Sequence, residues 1–166
     1  LFRGFSSTAI SPDGKTVYVG SSFFLAFNTA DGSQKWNYTS EGSYPIPIFS
    51  SPTISSNGET VYVGSSDNNL YAINTANGSR KWTYTTGGNV RSTPAISSDG
   101  ETVYVASDDG NFYAINTTHG TKKWANSIRV FQNSGYSSPA ISSDGETVYV
   151  GSGYYLYAFP TKVTSN

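Results

Sequence analysis

Few side chains in this 166-residue chain have the chemistry of a catalytic acid, base or nucleophile. The sequence contains eleven Asp and Glu residues, one His and no Cys. The single imidazole, His119, occupies a turn position that Asp31 and Asn77 hold in equivalent segments. We therefore interpret His119 as an exposed turn residue, and without a second His no Ser-His-Asp or Cys-His nucleophile system can be assembled.

Most of the carboxylates occupy repeated positions, which indicates a role in folding. Six of the eleven recur in one turn or directly beside it: Asp13, Asp99, Asp144, Glu59, Glu101 and Glu146. The other five show no spacing typical of a general acid and base pair: Asp31, Glu41, Asp67, Asp108 and Asp109. Glycine-rich phosphate-binding motifs are also missing. The sequence predicts no catalytic residues, no cofactor and a protein that is not an enzyme.

Two short acidic segments contain the oxygen ligands that calcium prefers. These segments are residues 67–69, Asp-Asn-Asn, and residues 108–111, Asp-Asp-Gly-Asn. The same composition is typical of hairpin loops with Asx turns, and we favour that interpretation. We therefore predict no metal site, and a calcium site in these loops is the alternative.

A short segment that recurs four times shows how these residues are positioned. Thr-Val-Tyr-Val followed by Gly or Ala begins at Thr16, Thr60, Thr102 and Thr147, at intervals of roughly 40 to 45 residues. Repeats of this length are typical of β-propeller blades. A residue that recurs in every unit is more simply explained by folding than by chemistry.

Each unit is predicted to form four antiparallel strands. In the second unit the strands are residues 51–55, 60–64, 70–74 and 81–85, separated by a turn, a polar loop and a second turn. Asn57-Gly58 at the first turn is typical of a hairpin with a primed turn, and Asp-Gly holds this place in the other units. No helical periodicity occurs. The sequence thus predicts an all-β propeller of about four four-stranded antiparallel blades.

Three units share a second pattern, an Ala, a Gly six residues later and a Trp four residues after the Gly. The three sets are Ala26, Gly32 and Trp36, then Ala72, Gly78 and Trp82, then Ala114, Gly120 and Trp124. This pattern resembles the tryptophan-docking motif of the pyrroloquinoline-quinone-like propeller repeats. That family contains quinoprotein dehydrogenases and non-enzymatic relatives such as an outer-membrane assembly lipoprotein. The resemblance implies that Trp36, Trp82 and Trp124 fasten each blade to the next one.

The resemblance also permits a test of the enzymatic branch of the family. A quinoprotein dehydrogenase is expected to have a vicinal Cys pair, a calcium ion held by carboxylate and Asn ligands, and a catalytic Asp. This chain has no Cys, so the vicinal pair is absent. A fragment of a quinone-dependent dehydrogenase is therefore an alternative that we do not favour.

The fourth unit departs from the pattern because neither Gly nor Trp follows Ala158 in the expected frame. We predict a single domain, residues 1–166, with blades at approximately 6–40, 50–86, 92–127 and 137–166, the last one incomplete. Relatives usually close rings of seven or eight blades. Three arrangements follow: a four-bladed ring, half of an eight-bladed ring that pairs with a second copy, or a segment of a longer array. We favour assembly with another copy or with further sequence.

The connections between blades differ from one another and are the predicted interaction surface. Because successive strands alternate in direction, these connections share one face with the loops between second and third strands. The connections bring residues such as Ile48 to this face, and the loops bring residues such as Phe24 and Tyr154. Aromatic residues with few charges suit protein contacts or sugar stacking, although some of them must fill the core. The preferred candidates are Tyr44, Phe49, Phe131 and Tyr136.

Charge and sequons indicate where the protein acts. The net charge of -1 and the scattered Lys and Arg residues make nucleic acid an unexpected partner. No apolar run approaches the roughly 20 residues that span a bilayer, and no signal segment opens the chain. Three Asn-X-Ser/Thr sequons, at Asn37, Asn77 and Asn116, are candidate glycosylation sites and favour an extracellular, cell-surface or periplasmic location.

Together these features predict a non-catalytic propeller scaffold that presents a surface for protein or carbohydrate and self-assembles or forms part of a longer chain. A structural repeat unit of an extracellular fibre or surface layer is a further alternative.

Overall fold

A computed structural model describes residues 6–39, 48–128 and 137–162 of the chain. In these ranges the chain forms fifteen strands and no helix. Blade 1 contains β1 (Ala9–Ile10), β2 (Thr16–Gly20), β3 (Phe24–Asn28) and β4 (Gln34–Tyr38). Blade 2 contains β5 (Thr53–Ile54), β6 (Thr60–Gly64), β7 (Asn69–Asn74) and β8 (Arg80–Thr85). Blade 3 contains β9 (Ala95–Ile96), β10 (Thr102–Ala106), β11 (Asn111–Asn116) and β12 (Lys122–Ser127). Blade 4 contains β13 (Ala140–Ile141), β14 (Thr147–Ser152) and β15 (Tyr155–Pro160).

Each blade is one antiparallel sheet in which strands that follow one another in sequence are neighbours. The first three blades have four strands and blade 4 has three, as the sequence predicts. The β-branched and aromatic residues of Thr-Val-Tyr-Val form the second strand of every blade, because such residues pack well on a pleated surface. The all-β prediction and the incomplete last blade are confirmed.

The turn between the first and second strands is held by one side chain. In blade 2, the Asn57 side-chain oxygen accepts hydrogen bonds from the Ser55 hydroxyl at 2.7 Å and from the Glu59 amide at 3.1 Å. Gly58 has a φ of +74°, whereas Asn57 does not have positive φ. The prediction of a primed turn, which needs positive φ before the Gly as well, is therefore wrong. The turn instead closes from the Gly58 amide to the Ser55 carbonyl and ends in a left-handed Gly.

The core lies between the blades. We call the side of a blade that faces the next blade its forward face, and the opposite side its back face. The forward face of blade 1 contributes Tyr18, Phe24, Ala26 and Trp36 to one buried cluster, and the back face of blade 2 contributes Val61, Val63, Tyr71 and Ile73. Equivalent clusters join blade 2 to blade 3 and blade 3 to blade 4. Blades therefore pack face to face in a row.

The row is an open arc, since the ring between blade 4 and blade 1 is not closed. The closed four-bladed alternative therefore does not describe this structure. In the described ranges, no helix is long and apolar enough to cross a membrane.

Candidate functional site

Two of the tryptophans reach from their own blade to the next one. The Trp36 indole nitrogen donates a hydrogen bond to the Thr75 carbonyl of blade 2, and the Trp82 indole nitrogen donates one to the Thr117 carbonyl of blade 3, each at 2.8 Å. Each indole covers a glycine. A Cβ atom on Gly78 would stand 2.8 Å from Trp36 Cδ2, which is closer than real Cβ atoms come.

The structure separates the Ala and the Gly of the predicted frame. Ala72 is the strand partner of Trp82 within blade 2, whereas the glycine that Trp82 covers is Gly120 of blade 3. Each Trp therefore uses the glycine of the following unit. These contacts support the predicted role of the tryptophans in joining blades, which remains a prediction until stability is measured.

The two ends of the row lack this contact in different ways. Trp124 packs on Phe159 of blade 4, with ring centroids 5.8 Å apart, and the sequence has no glycine in the equivalent frame. At the other end, Gly32 has a φ of +71°, like Gly78 and Gly120, but a Cβ atom there would meet nothing within 4 Å. Blade 1 thus carries a glycine slot that no described indole covers.

Of the four preferred surface candidates, only Phe49 falls in the described ranges; Tyr44, Phe131 and Tyr136 lie outside them. Phe49 is half-buried, and the Arg91 guanidinium lies over its ring, 5.4 Å from the ring centroid. Two other residues expected on this face are core residues, because Phe24 is the first residue of β3 and Ile48 is 2% exposed. Tyr154, at the hairpin between β14 and β15, is 93% exposed.

Arg91 is held on three sides by different chemical groups. Besides the Phe49 ring, its Nε atom pairs with Asp108 Oδ2 at 3.1 Å. The Asn89 side-chain oxygen accepts from Arg91 Nη2 at 3.1 Å in the amide orientation that satisfies both of its ends. Half of the Arg91 side chain is still exposed to solvent. We call Phe49, Asn89, Arg91 and Asp108 the mouth cluster.

A second carboxylate fixes the loop beside the mouth cluster. Asp109 Oδ2 accepts from the Gly87 amide at 2.7 Å and from the Tyr113 hydroxyl at 2.6 Å, while Oδ1 accepts from the Asn111 amide at 2.9 Å. Burial raises the pKa of Tyr113, and the Asp109 carboxylate raises it further because the phenol donates to it. The phenol therefore stays protonated and the loop of blade 3 is tied to the connection before it.

Arg91 is the residue of this cluster that the sequence analysis missed. In three units a Ser-Ser-Pro or Ser-Thr-Pro segment opens the blade, and the residue directly before this segment differs. It is Phe49 before blade 2, Arg91 before blade 3 and Tyr136 before blade 4. The charged Arg91 at a position that is aromatic in the other two units was the signal in the sequence that could have marked it as a functional candidate. Its partner Asp108 could not be found in this way, since the two residues belong to different loops.

The acidic loops that suggested calcium are occupied by hydrogen bonds. Tyr71 donates to Asp67 Oδ2, and the Asn69 amide donates to Asp67 Oδ1. Asp108 pairs with Arg91, and Asp109 accepts the bonds described above. Within the described ranges, no group of three or more His, Cys, Asp or Glu residues could hold a metal ion. The loop carboxylates thus have structural partners.

The sequons and the single His lie where solvent reaches them to different degrees. Asn37 and Asn77 are exposed, whereas Asn116 is half-buried and its side-chain oxygen accepts from the amides of Thr118 and His119. His119 is exposed in the turn after β11, as expected. Glycosylation at the three sequons remains a prediction.

Four antiparallel blades that pack face to face around an open arc define a partial β-propeller. The family model described as outer membrane protein assembly factor BamB matches residues 3–165. The chain therefore belongs to this family of PQQ-like propeller repeats.

The crystal structure of BamB from Moraxella catarrhalis has the same fold, with a TM-score of 0.73 and 21% sequence identity. The alignment covers 95% of this chain and 46% of that chain, so this chain spans about half the length of the related propeller. No curated protein matches the sequence. The similarity to this structure shows the fold, and the description of the matching family names an assembly factor.

Proposed function

We propose that this chain is a non-catalytic scaffold that binds other proteins outside the cytoplasm. The observation that carries the proposal is the mouth cluster, in which the Arg91 guanidinium lies over Phe49 and pairs with Asp108. Aromatic residues and Arg dominate the binding energy of protein interfaces. An Arg side chain that is already held in place loses little conformational freedom when a partner binds.

The geometry favours protein over carbohydrate as the ligand. Sugar recognition by an aromatic residue needs a free ring face, but the Arg91 guanidinium already covers one face of the half-buried Phe49 ring. The exposed part of Arg91 can instead donate hydrogen bonds to a carboxylate or a backbone carbonyl of a protein. We include Tyr44, Phe131 and Tyr136 in the proposed surface because they belong to the same set of connections and loops.

A non-catalytic role agrees with the use of the loop carboxylates. The carboxylates of Asp67, Asp108 and Asp109 accept hydrogen bonds or pair with Arg91, so none of them is poised to take a proton from a substrate. The family name, an assembly factor, points in the same direction. A dehydrogenase fragment would instead need a redox cofactor site, so reduction of a dye after addition of the quinone would contradict the proposal.

The proposed location rests on the sequons and on the family. Exposed Asn37 and Asn77 are accessible to a glycosylating enzyme, and an outer membrane assembly factor acts outside the cytoplasm. Peptide mass analysis of the protein from its native source would test this: a glycan on either residue supports it. Association into fibres would support the surface-layer alternative, and discrete particles in electron micrographs would count against it.

The binding test uses a displayed library of random peptides together with an array of glycans. We expect peptides to be selected, and Phe49→Ala and Arg91→Ala to weaken their binding by at least about 10-fold. His119→Ala is the matched control, because this exposed turn between β11 and β12 lies at the opposite end of the strands from the loop that contains Asp108. Selection of glycans alone, or equal peptide binding by all three variants, would contradict the proposal.

A further inference from the structure

The ends of the blade row expose apolar side chains at positions that interior blades bury. Leu156 of blade 4 is 73% exposed, whereas the equivalent Leu70 and Phe112 are 0% exposed. On blade 1, Ile10 is 61% exposed, whereas the equivalent Ile96 packs against a core cluster. Apolar patches of this kind mark surfaces that another protein covers.

The second strands show that the two exposed surfaces are opposite faces. In β2, Val17 and Val19 on the back face are partly exposed, while Tyr18 on the forward face is buried. In β14 the pattern is reversed, with Val148 and Val150 buried and Tyr149 exposed. In blades 2 and 3 every residue of the second strand is buried. Among the described residues, none therefore covers the back face of blade 1 or the forward face of blade 4 as a neighbouring blade does elsewhere.

These two surfaces are the two halves of the interface that occurs three times inside the chain. Between blades 2 and 3, Tyr62, Leu70 and Ala72 of the forward face pack on a back face that includes Val103 and Val105. On the forward face of blade 4, the residues equivalent to Tyr62, Leu70 and Ala72 are Tyr149, Leu156 and Ala158. On the back face of blade 1, the residues equivalent to Val103 and Val105 are Val17 and Val19. The same face also carries Ile10, Leu25 and Phe27. None of these positions carries a charge.

We propose that the occupant of both surfaces is a second copy of this chain. The forward face of blade 4 packs on the back face of blade 1 of the second copy, and the reciprocal contact closes one ring of eight blades. Complementarity supports a second copy, because the two surfaces are the two sides of a contact that the chain already forms three times within itself. The arrangement is cyclic, with one head-to-tail interface used twice.

The proposal goes beyond binding at the mouth cluster and fails or succeeds independently of it. The contact between the two copies differs from an interface inside the chain in one respect. Residues 137–162 of blade 4 contain no Trp that could cover Gly32 of the second copy. Asn37 pairs with Leu25 in the outer part of blade 1 and lies beside the proposed contact. A glycan at Asn37 would oppose ring closure, so the ring requires that Asn37 carry no glycan, and the test uses protein made without glycans.

The first measurement is the molar mass of the full chain by light scattering and sedimentation over a range of concentrations. We expect a dimer that dissociates to a monomer on dilution. Leu156→Asp and Ile10→Asp should each weaken dimerisation by more than about 100-fold, because each buries an unpaired carboxylate in the contact. Thr118→Asp adds the same charge to an exposed turn of blade 3 and should leave the dimer intact.

Mixing the two variants tests the head-to-tail geometry. The Ile10→Asp chain keeps an intact blade 4 face and the Leu156→Asp chain keeps an intact blade 1 face, so the mixture should form a dimer with one good interface. A contact between two identical faces would give no such complementation. Because both residues are exposed within one chain, each variant should keep the melting temperature that the monomer shows at high dilution.

Four results would overturn the proposal: a monomer at every concentration, a ladder of species larger than a dimer, a dimer that survives both Asp variants, or no complementation in the mixture. If a variant unfolds, Leu156→Gln and Ile10→Gln replace it, with the same expected order of effects. Peptide binding at the mouth cluster should be the same for the Leu156→Asp and wild-type chains, which separates this proposal from the proposed function.

Discussion

Three glycines at one repeat position provide a matched test of the tryptophan contact between blades. Gly32, Gly78 and Gly120 all have φ between +68° and +74°, so an Ala at any of them suffers similar backbone strain. Only Gly78 and Gly120 lie under an indole. We expect Gly78→Ala and Gly120→Ala to destabilise the protein more than Gly32→Ala does.

The expected size follows from two separate costs. A left-handed Ala in place of Gly costs about 1 to 2 kcal/mol, which is the whole cost at Gly32. At Gly120 the new Cβ would stand 2.7 Å from Trp82 Cδ2 and must push the indole away, which adds about 1 to 3 kcal/mol. The free energy of unfolding should therefore fall by about 1 to 2 kcal/mol for Gly32→Ala and by about 2 to 5 kcal/mol for the other two.

Urea unfolding followed by circular dichroism and by tryptophan fluorescence measures these differences. Each curve is recorded at a concentration at which the chain is monomeric, so that association does not add to stability. Equal losses for all three variants would refute the reasoning, because the indole contact would then contribute nothing beyond backbone strain.

Three further predictions concern the indole hydrogen bond, acid stability and metal. Trp82→Phe should cost about 1 kcal/mol through the lost hydrogen bond to Thr117, and Trp82→Ala about 3 to 5 kcal/mol through the lost packing, both measured by urea unfolding. Ser hydroxyl and backbone donors lower the pKa of the turn aspartates, so their stabilisation is full above the ordinary carboxyl pKa and is lost as pH falls through the lowered pKa. We therefore expect replacement of the turn aspartates by Asn, the residue that blade 2 has in this turn, to make the free energy of unfolding less sensitive to pH between about 5 and 2. The three positions are Asp13, Asp99 and Asp144. A steeper loss of stability in acid would count against the argument. A chelator should leave the melting temperature unchanged, and a drop that added calcium reverses would instead indicate a metal site.

Local pattern was sufficient to predict the strands and the incomplete blade, because each is encoded within one repeat. The Thr-Val-Tyr-Val segment and the Gly after the turn need no distant partner to form a hairpin. The Trp frame was found in the same way, but its pairing was not, since Trp82 covers the glycine of the following blade and not the one four residues before it.

Features that join different repeats could not be predicted from the pattern alone. The Arg91–Asp108 pair links a connection to a loop, and the turn geometry depends on where the Asn57 side chain finds its donors. Phe24 is different, because its alignment with Leu70 and Phe112 already marked it as a core residue. The prediction that Phe24 lies on the loop surface relied on its position next to a loop, and it was wrong because the side chain is buried.

The repeats also show what kind of surface the two ends of the row are. A surface that always faces water gains nothing from apolar residues, and sheet proteins commonly protect exposed faces and edges with charges. Blade 4 nevertheless keeps Tyr149, Leu156 and Ala158 on its forward face, and blade 1 keeps Val17 and Val19 on its back face. In the described residues, blade 4 has three strands and no Trp, while the apolar centre of the same face is present. A blade that retains the centre of an interface is expected to use it, and the contact that fits this face is the one that the chain already makes three times within itself.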